Sequence, residues 1–207
     1  MRRRETSVSR VCVVAVGAAA CGLLPRPAEA HLVTTGLGPV YDGISHVLMS
    51  PDDLVPILAM SLLAGLNGPR AGRRTLFALT SAWLAGGIAG FVVGHTPMPG
   101  TVAAASFLAL GGLTAAGRRL SPGVVTAVAV LVGCVHGWSN GAGIAEAQRE
   151  AASLVGIAGI TFVIVALVSA FVVSLRAAWA RIAVRVAGSW IAAIGLLMLG
   201  WSLRGTM

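Results

Sequence analysis

Apolar stretches of roughly twenty residues follow one another along almost the whole chain, separated by short turns, and this recurrence limits the possible folds more than any single motif does. A hydrocarbon core of about 30 Å takes about 20 helical residues at 1.5 Å each, and the backbone inside it must satisfy its own hydrogen bonds. The sequence therefore predicts an all-α integral membrane bundle, with spans near residues 51–67, 74–94, 101–117, 122–141, 152–175 and 182–203. That makes about six transmembrane helices. With 57% of the 207 residues hydrophobic and 11% charged, no stretch remains for a separate soluble domain.

The first thirty residues have a different character. MRRR is a basic start, VCVVAVGAAACGLL a short apolar core and Ala28-Glu29-Ala30 a small-x-small cleavage site, so residues 1–30 read as a signal peptide and 31–207 as the membrane domain. An uncleaved first helix is one alternative. Lipoprotein processing before Cys21 is another, weakened by Ala18 three positions ahead of it. Cleavage would make His31 the mature amino terminus, where its amine and ring nitrogen could both meet a transition metal; a frayed terminus with a fortuitous histidine is the plainer reading. Cys12 and Cys21 would leave with the signal, so Cys134 stands alone and forms no internal disulfide.

The formal charge of +8 does not indicate nucleic acid, because five of the fifteen arginines lie in the signal and the others flank apolar spans. Arg70, Arg73, Arg74, Arg118, Arg119, Arg176 and Arg181 crowd alternate turns, which the positive-inside rule places in the cytoplasm. The expectation is a multi-pass protein of the inner (plasma) membrane, in contact with the lipid bilayer, with its mature amino terminus outside.

That topology puts every acid of the mature chain, Asp42, Asp52, Asp53, Glu146 and Glu150, on the outer side, together with His31, His46, His95 and His136. Acids and imidazoles gathered on one face suit a cation, although acids could also simply fill the side that arginine avoids. In CVHGWSNGAG, His136 and Asn140 are four residues apart, so they project from one helix face at about 20 Å into a core of about 30 Å. Asp42 and His46 repeat this spacing in VYDGISH, a segment that suits a short interfacial or re-entrant helix.

HVLMSPDDLVPILAM combines a helix start with two acids: Ser50 as N-cap, Pro51 at the first position, and Asp52 and Asp53 against the positive end of the dipole. Capping alone explains such a pattern. A helix over 51–66 is only about 24 Å long, however, so its acidic end is recessed. An unpaired aspartate at the membrane centre costs about 2.5–3.5 kcal/mol, less near the interface, so recessed acids call for water, a cation or protein donors. Pro56 is expected to kink this span. Gly86, Gly90 and Gly94 form one small-residue stripe and Gly133, Gly137 and Gly141 another, each suited to close helix packing within a subunit or between copies, which leaves a homo-oligomer open. Such packing beside His136 and Asn140 is expected to draw in His46 and Asp52. Trp179, Trp190 and Trp201 are expected near span ends.

These residues resemble the HupE/UreJ family, small membrane proteins linked with nickel supply to hydrogenase and urease. Members commonly carry a histidine followed after five residues by Asp-His and an LLAM-like run. HVLMSPDDLVPILAM supplies His46 and Asp52, with Asp53 where the second histidine stands. A later HGxAHG-like pattern is matched by HGWSNG, which keeps His136 and Gly141 but has Asn140 for the second histidine. A third motif, a Gly-x-x-x-Thr helix ending in histidine, is matched only by GIAGIT with Thr161, without the histidine.

The resemblance implies a permease for nickel or cobalt, as substrate and not as a tightly bound cofactor. Replacing histidine by aspartate or asparagine shifts such a site toward oxygen ligands. The expected metal-gathering residues are Asp42, His46, Asp52, Asp53, His136 and Asn140, with His31 if the signal is removed. A non-transporting metal sensor, chaperone or assembly partner is the alternative. An enzyme is disfavoured, because the chain has no HExxH motif or nucleophile elbow, and direct ATP coupling because it has no nucleotide-binding loop.

Overall fold

The structure, a computed structural model, describes residues 34–94 and 99–204. The signal-peptide reading of residues 1–30, and the readings of His31 and His95, lie outside the described residues. Among those described there are seven helices and no strand: α1 Pro39–Met49, α2 Pro51–Leu66, α3 Pro69–Val93, α4 Gly100–Ala116, α5 Pro122–Glu146, α6 Ser153–Ser174 and α7 Ala178–Arg204.

Local chemistry sets the boundaries. Helices α1, α2, α3 and α5 begin with proline, which lacks the N–H that a first helical position cannot pair. Ser121 caps α5 by accepting from the Val124 N–H. Gly117, left-handed at φ 60°, closes α4. Pro56 sits inside α2 without ending it and removes the donor for the carbonyl of residue 52.

Four helices, α3, α5, α6 and α7, are long and apolar enough to cross a membrane, and the α1–α2 pair, bent by 75°, makes a fifth if counted as one span. The expected six separate spans are thus reduced to four or five on length and composition. Helix α2 is only about 24 Å long and α4 about 26 Å, both short of the hydrocarbon thickness. The Arg70, Arg73 and Arg74 side chains ride on the first turns of α3 and not on a preceding loop.

Helix α3 packs against α5, α4 against α7, and α1 and α2 against α6. The two glycine stripes account for the first pairing. A Cβ at Gly86 or Gly90 would strike the α5 backbone at Cys134 or Trp138, and one at Gly133, Gly137 or Gly141 would strike α3 at Leu79, Trp83 or Gly87. Gly43 and Gly156 bring α1 equally close to α6. Ile57, Met60, Leu63, Leu79, Trp83 and Ile157 fill the core. Phe171, Trp179, Trp190, Leu197 and Trp201 are exposed on the outside, as a bundle surrounded by lipid requires. Trp190 lies midway along α7, not at an end as its sequence position suggested.

Candidate functional site

The site begins with the break between α1 and α2. Pro51 cannot continue α1 because it has no N–H, and it forces Ser50 into an extended conformation at φ −101°, ψ 102°. Ser50 therefore ends one helix and starts the next. Its carbonyl accepts from the N–H groups of Asp53 and Leu54, and its N–H bonds to the His46 carbonyl. Its hydroxyl does not cap α2; it lies 3.4 Å from His46 Nδ1. The resulting elbow turns the last residues of α1 toward the first turn of α2, so His46 Nε2 lies 3.2 Å from Asp53 Oδ2.

Helix α5 supplies the opposite wall. His136 and Asn140 are both buried, one turn apart on the same face, as their spacing predicts. Asn140 Oδ1 is 3.0 Å from His46 Nε2, and His136 Nδ1 is 3.6 Å from Asp53 Oδ1. Both neighbours of His46 Nε2 are acceptors, so that nitrogen carries the hydrogen and donates to Asp53 and Asn140. Ser106 of α4 donates to the Ala103 carbonyl at 2.7 Å and so accepts from His136 Nε2 at 3.1 Å. With Nε2 donating, the facing His136 Nδ1 and Asp53 Oδ1 attract each other when a proton lies on one of them. Trp83 of α3 stacks on the His136 ring at a centroid distance of 5.5 Å.

Five helices thus meet around Asp53, which is 6% exposed. The spacings of 3.0 and 3.2 Å around His46 Nε2 are close to the distance between neighbouring ligands about 2.1 Å from one ion, roughly 3 Å. Nevertheless, among the described residues no three His, Cys, Asp or Glu side chains form a ready metal-ligand group. The cluster is closed by its own hydrogen bonds, and a cation would have to replace the His46 N–H as partner of Asp53. Two donors are unspent: Asn140 Nδ2 and Trp83 Nε1 are buried without a hydrogen-bond partner.

The other candidates are placed differently. Asp52 is exposed, so Asp53 and not Asp52 meets the histidines. Asp42 is buried, but one oxygen accepts from the Thr35 N–H and hydroxyl at 2.6 and 2.7 Å and the other lies 3.6 Å from Arg149. Arg149 also donates to Thr34, so this group ties the segment before α1 to the α5–α6 link. Thr161 is fully buried in α6, with its hydroxyl unpaired. Sequence reasoning missed Ser106 and Trp83. A tryptophan in the middle of a span, away from the interface, was the available signal for Trp83; a single serine in GTVAAASFLAL offers none.

The family model described as HupE / UreJ protein matches residues 18–198. No curated protein and no solved structure matches the chain.

Proposed function

The chain belongs to the HupE/UreJ family, and on that premise we propose that it is a permease for a divalent transition-metal ion, nickel or cobalt, gathered at the Asp53 cluster and passed inward. The observation that carries this reading is the convergence of His46, Asp53, His136 and Asn140 from three helices in one buried cluster. The carboxylate supplies charge, His136 Nδ1 presents a lone pair to the cluster, and His46 Nε2 becomes a directional nitrogen ligand once its hydrogen is displaced. Asn140 Oδ1 adds a neutral oxygen. Asp52, exposed one residue away, would act as an attracting charge at the outer mouth, and a membrane potential would favour inward movement by about 2.3 kcal/mol per charge per 100 mV. Asp42 serves the clasp with Thr35 and Arg149, not the ion. His31 would join only as a mature terminus.

The family is associated with nickel or cobalt uptake or with metallocentre assembly, and its members are membrane transport or accessory proteins. The second reading, a non-transporting sensor, chaperone or assembly partner, is favoured by one observation: the cluster is already closed by hydrogen bonds and forms no ready ligand group. Nickel and cobalt uptake into sealed proteoliposomes, paired with equilibrium binding to the detergent-purified chain, separates the two. Binding with uptake supports the permease. Binding without uptake selects the second reading, and neither binding nor uptake rejects both.

A further inference from the structure

The end of the bundle opposite the histidine cluster holds a second polar recess. It is a cleft of about 390 Å³ between the α2–α3 turn, the α4–α5 link and the adjoining parts of α6 and α7, lined by Gly65, Asn67, Gly68, Arg119, Leu120 and Arg181 among others. The last four carbonyls of α2 all have donors here. Leu63 accepts from the Asn67 N–H and side-chain amide, Ala64 from the Asn67 N–H, Gly65 from the Gly68 N–H, and Leu66 from Arg181 Nη2 at 2.9 Å. The negative end of the α2 dipole is therefore neutralised within the protein. The start of α3 at the same place has no side-chain cap, and its first turn carries only arginines as charged groups.

The charge balance points one way. Arg119 is exposed, and Arg181 spends only part of its five-donor fork on Leu66. The described carboxylates, Asp42, Asp52, Asp53, Glu146 and Glu150, lie on α1, the first turn of α2, the end of α5 and the α5–α6 link, all at the histidine end. Among the described residues, no ion pair joins a carboxylate to an arginine of the cleft end. Two guanidinium groups thus border a recess in which the α2 carbonyls already have donors, and among the described residues no carboxylate pairs with them.

We propose that this cleft binds the phosphate group of an anionic phospholipid, with Arg119 and Arg181 as its hydrogen-bonding partners. The planar guanidinium fork matches phosphate oxygens in pairs, and a basic pocket between helix ends suits an acidic headgroup. A lipid fits better than a free phosphate ion because Leu66 and Val173 make part of the lining apolar, and the α6 and α7 helices that border the cleft expose apolar side chains, Phe171 and Ile182 among them, on the outside of the bundle. The inference does not depend on any metal chemistry at the other end.

The test titrates the full-length protein in phosphatidylcholine nanodiscs with phosphatidylglycerol and follows its thermal unfolding; inorganic phosphate forms a separate arm. Phosphatidylglycerol is expected to raise Tm. The Arg119→Gln/Arg181→Gln variant should need at least about tenfold more lipid for the same shift, the loss expected for a charge-assisted hydrogen bond. Arg176→Gln, an exposed arginine outside the cleft lining, should behave as native. Should the double variant fail to fold, Arg119→Gln alone is decisive, since that side chain is exposed. No lipid shift, an equal loss in Arg176→Gln, or an undiminished shift in the cleft variant would overturn the site. An equal shift from inorganic phosphate would overturn the lipid assignment.

Discussion

Asp52 and Asp53 are separated by about 100° of rotation around α2, so only one of them can face the elbow formed with α1. The buried one is Asp53, held between His46 and His136, while Asp52 stays exposed. On the permease reading, Asp53→Asn removes the only charged oxygen donor inside the cluster and should lower metal affinity by at least about tenfold, measured by isothermal titration of the purified protein. Asp52→Asn should leave affinity within about twofold of native. A residue that sequence reasoning could not single out also bears load: Ser106 is the partner of buried His136 Nε2. Ser106→Ala leaves that nitrogen unpaired and should cost about 1–3 kcal/mol, seen as a lower Tm in detergent. An unchanged Tm would mean that the His136 ring re-pairs elsewhere.

At the scale of elements, the elbow at Ser50-Pro51 places the site and the glycine stripes make room for it. Proline at residue 51 breaks α1 where His46 is still within one turn of the end. Pro51→Ala restores the missing N–H and allows α1 and α2 to approach a single helix, which would swing His46 away from Asp53. Spin labels at Tyr41 and Leu62, both away from the cluster, should then report a longer separation, and metal affinity should fall with it. If the distance holds, the bend of 75° is fixed by packing on α6 and not by the proline. In α5, Gly137→Leu would drive a side chain into the α3 backbone at Trp83 and should destabilise the bundle by at least about 1–3 kcal/mol in a thermal or chemical unfolding assay.

Several of these elements could be read from residue order alone. Ser-Pro-Asp-Asp marked the α2 start, the four-residue spacing marked the shared face of His136 and Asn140, and the glycine stripes marked two closely packing helix faces, although not that α3 and α5 pack on each other. The aspartate that turns inward could not be read, because it depends on how α2 rotates against α5. Nor could the fate of Asp42, whose partners Thr35 and Arg149 are set by where the loops return.

Across the whole molecule, the apolar runs were enough to place the six helices from α2 to α7 to within a few residues, because hydrophobic length is imposed by the bilayer and not by distant contacts. Which helices span the membrane unaided was not legible, since α2 and α4 are apolar but short, and α1 joins α2 only through the elbow. The two ends differ in kind: a carboxylate–imidazole cluster at one, and at the other arginines that have no acidic partner among the described residues. Metal passage through the Asp53 cluster is tested by initial-rate nickel and cobalt uptake into sealed proteoliposomes by the native chain, Asp53→Asn and Asp52→Asn at matched protein orientation. The native chain is expected to take up metal, Asp53→Asn to lose at least about nine-tenths of that rate, and Asp52→Asn to stay near native; native-rate uptake by a correctly folded Asp53→Asn protein would contradict a permease that works through this cluster.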